Sequence, residues 1–103
     1  MAKLALVAAP VFRALVPISV AGGAAVEVEF TFKHRTKTAL DEFVKSRAKK
    51  QDAESVLAMA EGWELSDEFN AVNVELLLQN YIGAALAVYR VYIDQLVQAR
   101  LGN

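Results

Sequence analysis

The stretch Val26-Glu27-Val28-Glu29-Phe30-Thr31-Phe32-Lys33 alternates apolar and polar side chains for eight residues without a break. A period of two is the signature of a strand with one face buried, so Val26, Val28, Phe30 and Phe32 are expected on one side and Glu27, Glu29, Thr31 and Lys33 on the other. Upstream, Arg13–Val20 alternates less cleanly, with Ala14, Val16, Ile18 and Val20 on one face. Pro17 lacks an amide hydrogen and confines that strand to an edge or a bulge. Gly22-Gly23 lies between the two and supplies the positive φ that a tight connection needs. The reading is a β-hairpin over 12–35, apolar on one face. A lone hairpin is marginal in water, so something must cover that face.

The rest of the chain reads as helices. Thr38-Ala39-Leu40-Asp41 opens the first like a capping box, and Leu40, Phe43, Val44 and Ala48 follow at helical spacing in a basic helix over 38–50. Asp52–Ala60 forms a shorter helix with Ala53, Val56, Leu57 and Ala60 on one side, ended by Gly62. Ser66-Asp67-Glu68 is expected to open the next element, whose stripe is Val74, Leu77, Leu78 and Tyr81. A break at Tyr81-Ile82-Gly83 leads to a last helix running to about Arg100 and closed by Gly102. Only Arg90 is charged between Ile82 and Ile93, so that helix is apolar on two sides. One stripe is Ile82, Leu86, Tyr89, Ile93 and Leu96; the other is Ala85, Val88, Tyr92 and Ala99. The expected fold is α+β: an N-terminal β-hairpin packed against a bundle of about four α-helices. The whole chain, 1–103, is one domain, with 1–11 a flexible N-terminus and 36–103 the helical part.

Composition removes whole classes of function. The chain of 103 residues has no cysteine and one histidine, so disulfides, thiolate metal sites and a cysteine nucleophile are excluded. No glycine-rich phosphate loop and no Gly-x-Ser-x-Gly elbow occurs. His34 lies between Lys33 and Arg35 with no carboxylate at a spacing that would orient it, and reads as an exposed loop residue. Glu61, Glu64, Asp67 and Glu68 read as solvated acids that complement a helix dipole, not as a metal or acid–base site. Lys3 and the apolar run Leu4–Phe12 look like the start of a signal peptide. Pro10, Arg13 and Pro17 interrupt that run well short of the ~20 apolar residues a membrane span needs, so it is read as mature, soluble chain. No enzyme, no cofactor, no metal and no membrane association are expected.

Net charge is −1, but its distribution is uneven. From Lys33 to Lys50 there are seven Lys/Arg and two acids, a balance of +5; the remainder balances at −6. Such a dipolar surface can orient a partner or a second copy. The basic helix 38–50 also allows a small DNA-binding regulator as an alternative, although no nucleic-acid motif surrounds it and nucleic acid is not expected as a partner. Hydrophobic residues make up 55% of the chain, which for so short a sequence implies apolar surface meant for a partner. Trp63, Leu65, Phe69, Tyr81, Val88 and Tyr92 are the candidates for that surface, since they flank helix breaks or lie on the two-sided last helix. Trp63 also reads as an anchor under a helix break, its indole N–H meeting a backbone carbonyl.

Three segments together resemble the tail assembly chaperones of long-tailed bacteriophages, over residues 12 to 103. They are the hairpin with Gly22-Gly23 and the run Val28 to Thr36; the short helix from Asp52 ending on Gly62-Trp63; and Asn70 to Asn103, with Leu76-Leu77, Asn80-Tyr81, Gly83-Ala84-Ala85, Tyr92 and Ala99-Arg100-Leu101-Gly102-Asn103. Ile82 stands where similar sequences have proline before Gly-Ala-Ala, which leaves the helix break less enforced and lets the two helices partly merge. The resemblance implies a non-catalytic phage or prophage protein of virion morphogenesis. It would act in the host bacterial cytoplasm, bind the tape measure protein, help tail tube protein polymerise around it, and be absent from the mature virion. Weak self-association as a homo-oligomer is expected through the same surface. A structural component that stays in the particle is a further alternative.

Overall fold

The computed structural model describes residues 2–97. The hairpin forms from β1 (Val11–Ile18) and β2 (Val26–Lys33), antiparallel, with Phe12 opposite Phe32, Ala14 opposite Phe30 and Val16 opposite Val28. That register puts every even-numbered apolar residue on one face, and Val16, Ile18, Val28, Phe30 and Phe32 are all buried. Val26 is the exception. It sits at the hairpin tip, beyond the helices, and is 53% exposed. In the connection Gly22 has φ +77°, where a side chain would be strained. Pro17 lies on an edge strand, as its missing amide requires.

The sheet has a third strand, β3 (Ala60–Trp63), which runs antiparallel to β2 on the side away from β1. Gly62, expected to end a helix, instead lies in this strand opposite Thr31. A Cβ placed on it would meet Thr31 Cβ only at ordinary contact distance, 3.8 Å. Pairing continues past the strand: the Glu64 amide donates to Glu29 O (3.0 Å), and the Glu64 carboxylate accepts from the Glu29 amide (2.6 Å).

Four helices lie among the described residues: α1 (Lys37–Arg47), α2 (Asp52–Met59), α3 (Ala71–Asn80) and α4 (Ala84–Val97). The Thr36 hydroxyl, not Thr38, caps α1 by accepting from the Ala39 amide. The helix ends at Arg47, and Val44 and Ala48 are exposed while Leu40 and Phe43 reach the core. Gln51 and Glu54 form a capping box at α2. Asn70 caps α3 by accepting from the Asn73 amide, which places the start four residues beyond Ser66. The break after α3 holds despite Ile82: Tyr81 leaves helical geometry (φ −128°, ψ 88°), and α3 and α4 are bent 110° apart. The expected end of α4 near Arg100, with Ala99 and Gly102, lies outside the described residues. So does part of the single domain 1–103. Residues 2–9 form no helix or strand and are exposed.

The core lies between the sheet and the helices. Of the two stripes on α4, Ala85, Val88 and Tyr92 turn inward, while Ile82 and Leu86 stay exposed. Rings run in series across the core, from Phe43 to Tyr92 (6.0 Å), Phe32 (5.4 Å), Phe30 (5.9 Å) and Trp63 (5.9 Å). The Tyr92 hydroxyl donates to Lys33 O (2.7 Å) and accepts from Arg35 Nη1 (2.9 Å), so its burial leaves no polar atom unmet. Arg35 also donates to Ala58 O (2.8 Å) and lies 4.5 Å from the Phe43 ring centre. No single helix is long and apolar enough to cross a membrane among the described residues.

Candidate functional site

An open groove of about 440 Å³ lies beside the hairpin tip. Ile18, Val20, Val26 and Val28 form one wall; Trp63 and Leu65 continue it past β3; Leu76, Leu77 and Tyr81 of α3 and its end form the other. The hairpin contributes the exposed Val26, with Ile18 and Val28 buried beneath. The second wall exists because α3 carries Leu76-Leu77-Leu78 in succession. Three consecutive residues sweep some 200° of a helix, more than one core can absorb. Leu77 and Leu78 are half-buried, but Leu76 is 58% exposed.

Three nitrogen donors of the groove are already occupied. The Trp63 indole donates to Asp67 O (2.7 Å), Asn73 Nδ2 to Glu68 O (2.7 Å) and Asn80 Nδ2 to Leu76 O (2.9 Å). With those donors spent on the backbone, the groove offers chiefly apolar surface, suited to side chains of another protein more than to a polar small molecule. Phe69 stands edge-on to Trp63 at 5.0 Å and supports the indole from behind.

The six candidates from the sequence divide sharply. Trp63, Leu65 and Tyr81 come together in the groove, with Leu65 and Tyr81 exposed. Phe69 is half-buried against Trp63 and backs the groove without lining it. Val88 and Tyr92 are fully buried, so neither is available as a surface contact; the correction follows from β1 and α2 packing over their stripe of α4. The structure adds Val20, Val26, Leu76 and Leu77 to the candidate surface, with the buried Ile18 and Val28 beneath them. Only the leucine run gave a readable signal for any of these.

The basic segment is partly consumed by the fold. Lys33 donates to Leu57 O (3.2 Å), Arg35 is held as described, and Arg47 lies 3.7 Å from the Tyr89 ring centre. Three of its seven cations therefore serve packing, which weakens the DNA-binding alternative. His34 is half-buried rather than exposed; its amide donates to Pro10 O (2.9 Å). Glu61, Glu64, Asp67 and Glu68 do not converge, and no three His, Asp or Glu side chains group to hold a metal among the described residues.

The profile of a family described as phage tail assembly chaperone matches residues 1–103, the full length of the sequence. No curated protein and no solved structure matches the chain.

Proposed function

Because the chain belongs to the phage tail assembly chaperone family, we propose that it binds the tape measure protein and promotes assembly of tail tube protein around it. It does so without catalysis, in the host cytoplasm, and leaves before the virion is complete. The observation that supports this reading is the groove: chiefly apolar, open to solvent, with its indole and amide donors satisfied internally. An assembly chaperone must cover apolar helices of a long client before the tube does, and a groove accepts their i, i+3, i+4 anchors.

Co-expression tests the reading. The tape measure protein should stay soluble beside the wild-type chain and precipitate beside a Leu76→Asn/Tyr81→Ser variant that remains folded by circular dichroism. Both positions are exposed, so the variant should fold. Equal solubility with the wild type, the variant and an empty vector would remove the function. Weak self-association through the same groove belongs to this reading, and the variant should abolish it as well.

A further inference from the structure

The groove is electrically one-sided. The two segments that build it, 18–28 and 63–81, contain no Lys, Arg or His; 63–81 carries four acids (Glu64, Asp67, Glu68 and Glu75), while Glu27 of the hairpin points to the other face of β2. Asp67 is the one charged side chain lining it. The basic segment leaves from the opposite end of β2, where Lys33 pairs with Val11. Eight residues of strand put Lys33 about 23 Å from Val26, at roughly 3.3 Å per step, while Phe30, opposite Trp63, is about 10 Å from Lys33. At the hairpin end of the groove the separation is more than two Debye lengths at ordinary salt, about 8–10 Å, so the cations do not neutralise the field there.

From this charge distribution we infer that the groove selects a cationic amphipathic helix: one apolar stripe to seat between the hairpin tip and α3, flanked by Lys or Arg. The inference rests on the chaperone reading for the existence of a helical client and adds the client's charge. Apolar contact supplies the affinity, and it does not distinguish one amphipathic helix from another. Discrimination comes from the flanks. Lysine or arginine beside the stripe meets the acidic surroundings, whereas glutamates there would be held among like charges with no Lys, Arg or His in either groove segment. The same asymmetry argues against DNA at this surface, since a phosphate backbone would meet carboxylates.

Two synthetic helical peptides with the same leucine stripe, one flanked by lysines and one by glutamates, test the inference by fluorescence anisotropy against the full chain. The lysine peptide should bind at least about tenfold more tightly in low salt, and the gap should close as salt rises. Asp67→Asn with Glu68→Gln should bring the two peptides to within about threefold of each other while leaving the apolar contribution. Leu76→Asn with Tyr81→Ser should weaken both peptides alike. Equal affinities, or a preference for the glutamate peptide, would overturn the charge selection. So would lysine-peptide binding that the Leu76/Tyr81 variant leaves untouched, because the peptide would then be on another surface. Loss of charge preference together with intact groove-dependent rescue of the tape measure protein would sink this inference alone. Charge preference without any such rescue would instead sink the chaperone reading.

Discussion

Tyr92 carries more of the fold than its single ring suggests. Its hydroxyl joins the end of β2 to Arg35, and its ring contacts Phe12, Phe32 and Phe43. In Tyr92→Phe the buried carbonyl of Lys33 loses its donor from Tyr92, at a cost of about 1–3 kcal/mol by denaturant unfolding. No loss would mean that water replaces the hydroxyl. Phe30 and Phe32 have no exposed surface, and either one changed to alanine should destabilise by about 3–5 kcal/mol. Glu27→Ala, on the opposite face and exposed, should stay within about 0.5 kcal/mol. If Glu27 cost as much as the phenylalanines, the register of β2 would be wrong.

At the scale of elements, the turn between α3 and α4 decides the shape of the groove wall. The 110° bend forms with Ile82 before Gly83, so no proline is needed to make it. Packing makes it: Val74 of α3 and Ala84, Ala85 and Val88 of α4 are all buried, which a straight continuation of α3 would not allow. Tyr81 already has the non-helical backbone that a residue before proline requires, and the Ile82 side chain is 92% exposed. Ile82→Pro should therefore raise stability by about 0.4–1 kcal/mol, by restricting the unfolded chain more than the folded one. A loss of that size in thermal unfolding would show that the Ile82 amide or φ is needed as it stands.

Seen as a whole, the molecule has an acidic apolar end and a basic end. The acidic end should bind helices; the basic end is partly spent on packing through Lys33, Arg35 and Arg47. Substituting Lys45, Lys49 and Lys50 together with glutamine should leave rescue of the tape measure protein unchanged in the co-expression assay. Loss of rescue in that folded variant would move the client to the opposite end of the molecule. Nothing in the fold explains the exposed apolar side chains at Leu4, Leu6 and Val7.

Local pattern alone was enough for the hairpin, the α+β class and the four helices, because periods of two and 3.6 are set by backbone geometry and survive any tertiary context. It was also enough for the break at Tyr81–Gly83 and for the indole N–H of Trp63 meeting a backbone carbonyl, but not for Gly62, which lies in β3 rather than ending a helix. It was not enough for β3, whose four residues are too few to show alternation and whose partner lies thirty residues away in β2. Nor did it separate the two apolar stripes of α4. A stripe's exposure depends on what packs over it, and β1 and α2 cover Val88 and Tyr92 while Ile82 and Leu86 face outward. The groove follows from the same cause: Val26 at the end of β2 is left uncovered, and α3 carries one leucine more than the core can hold. Both are facts about where elements end relative to each other, which only packing in three dimensions determines.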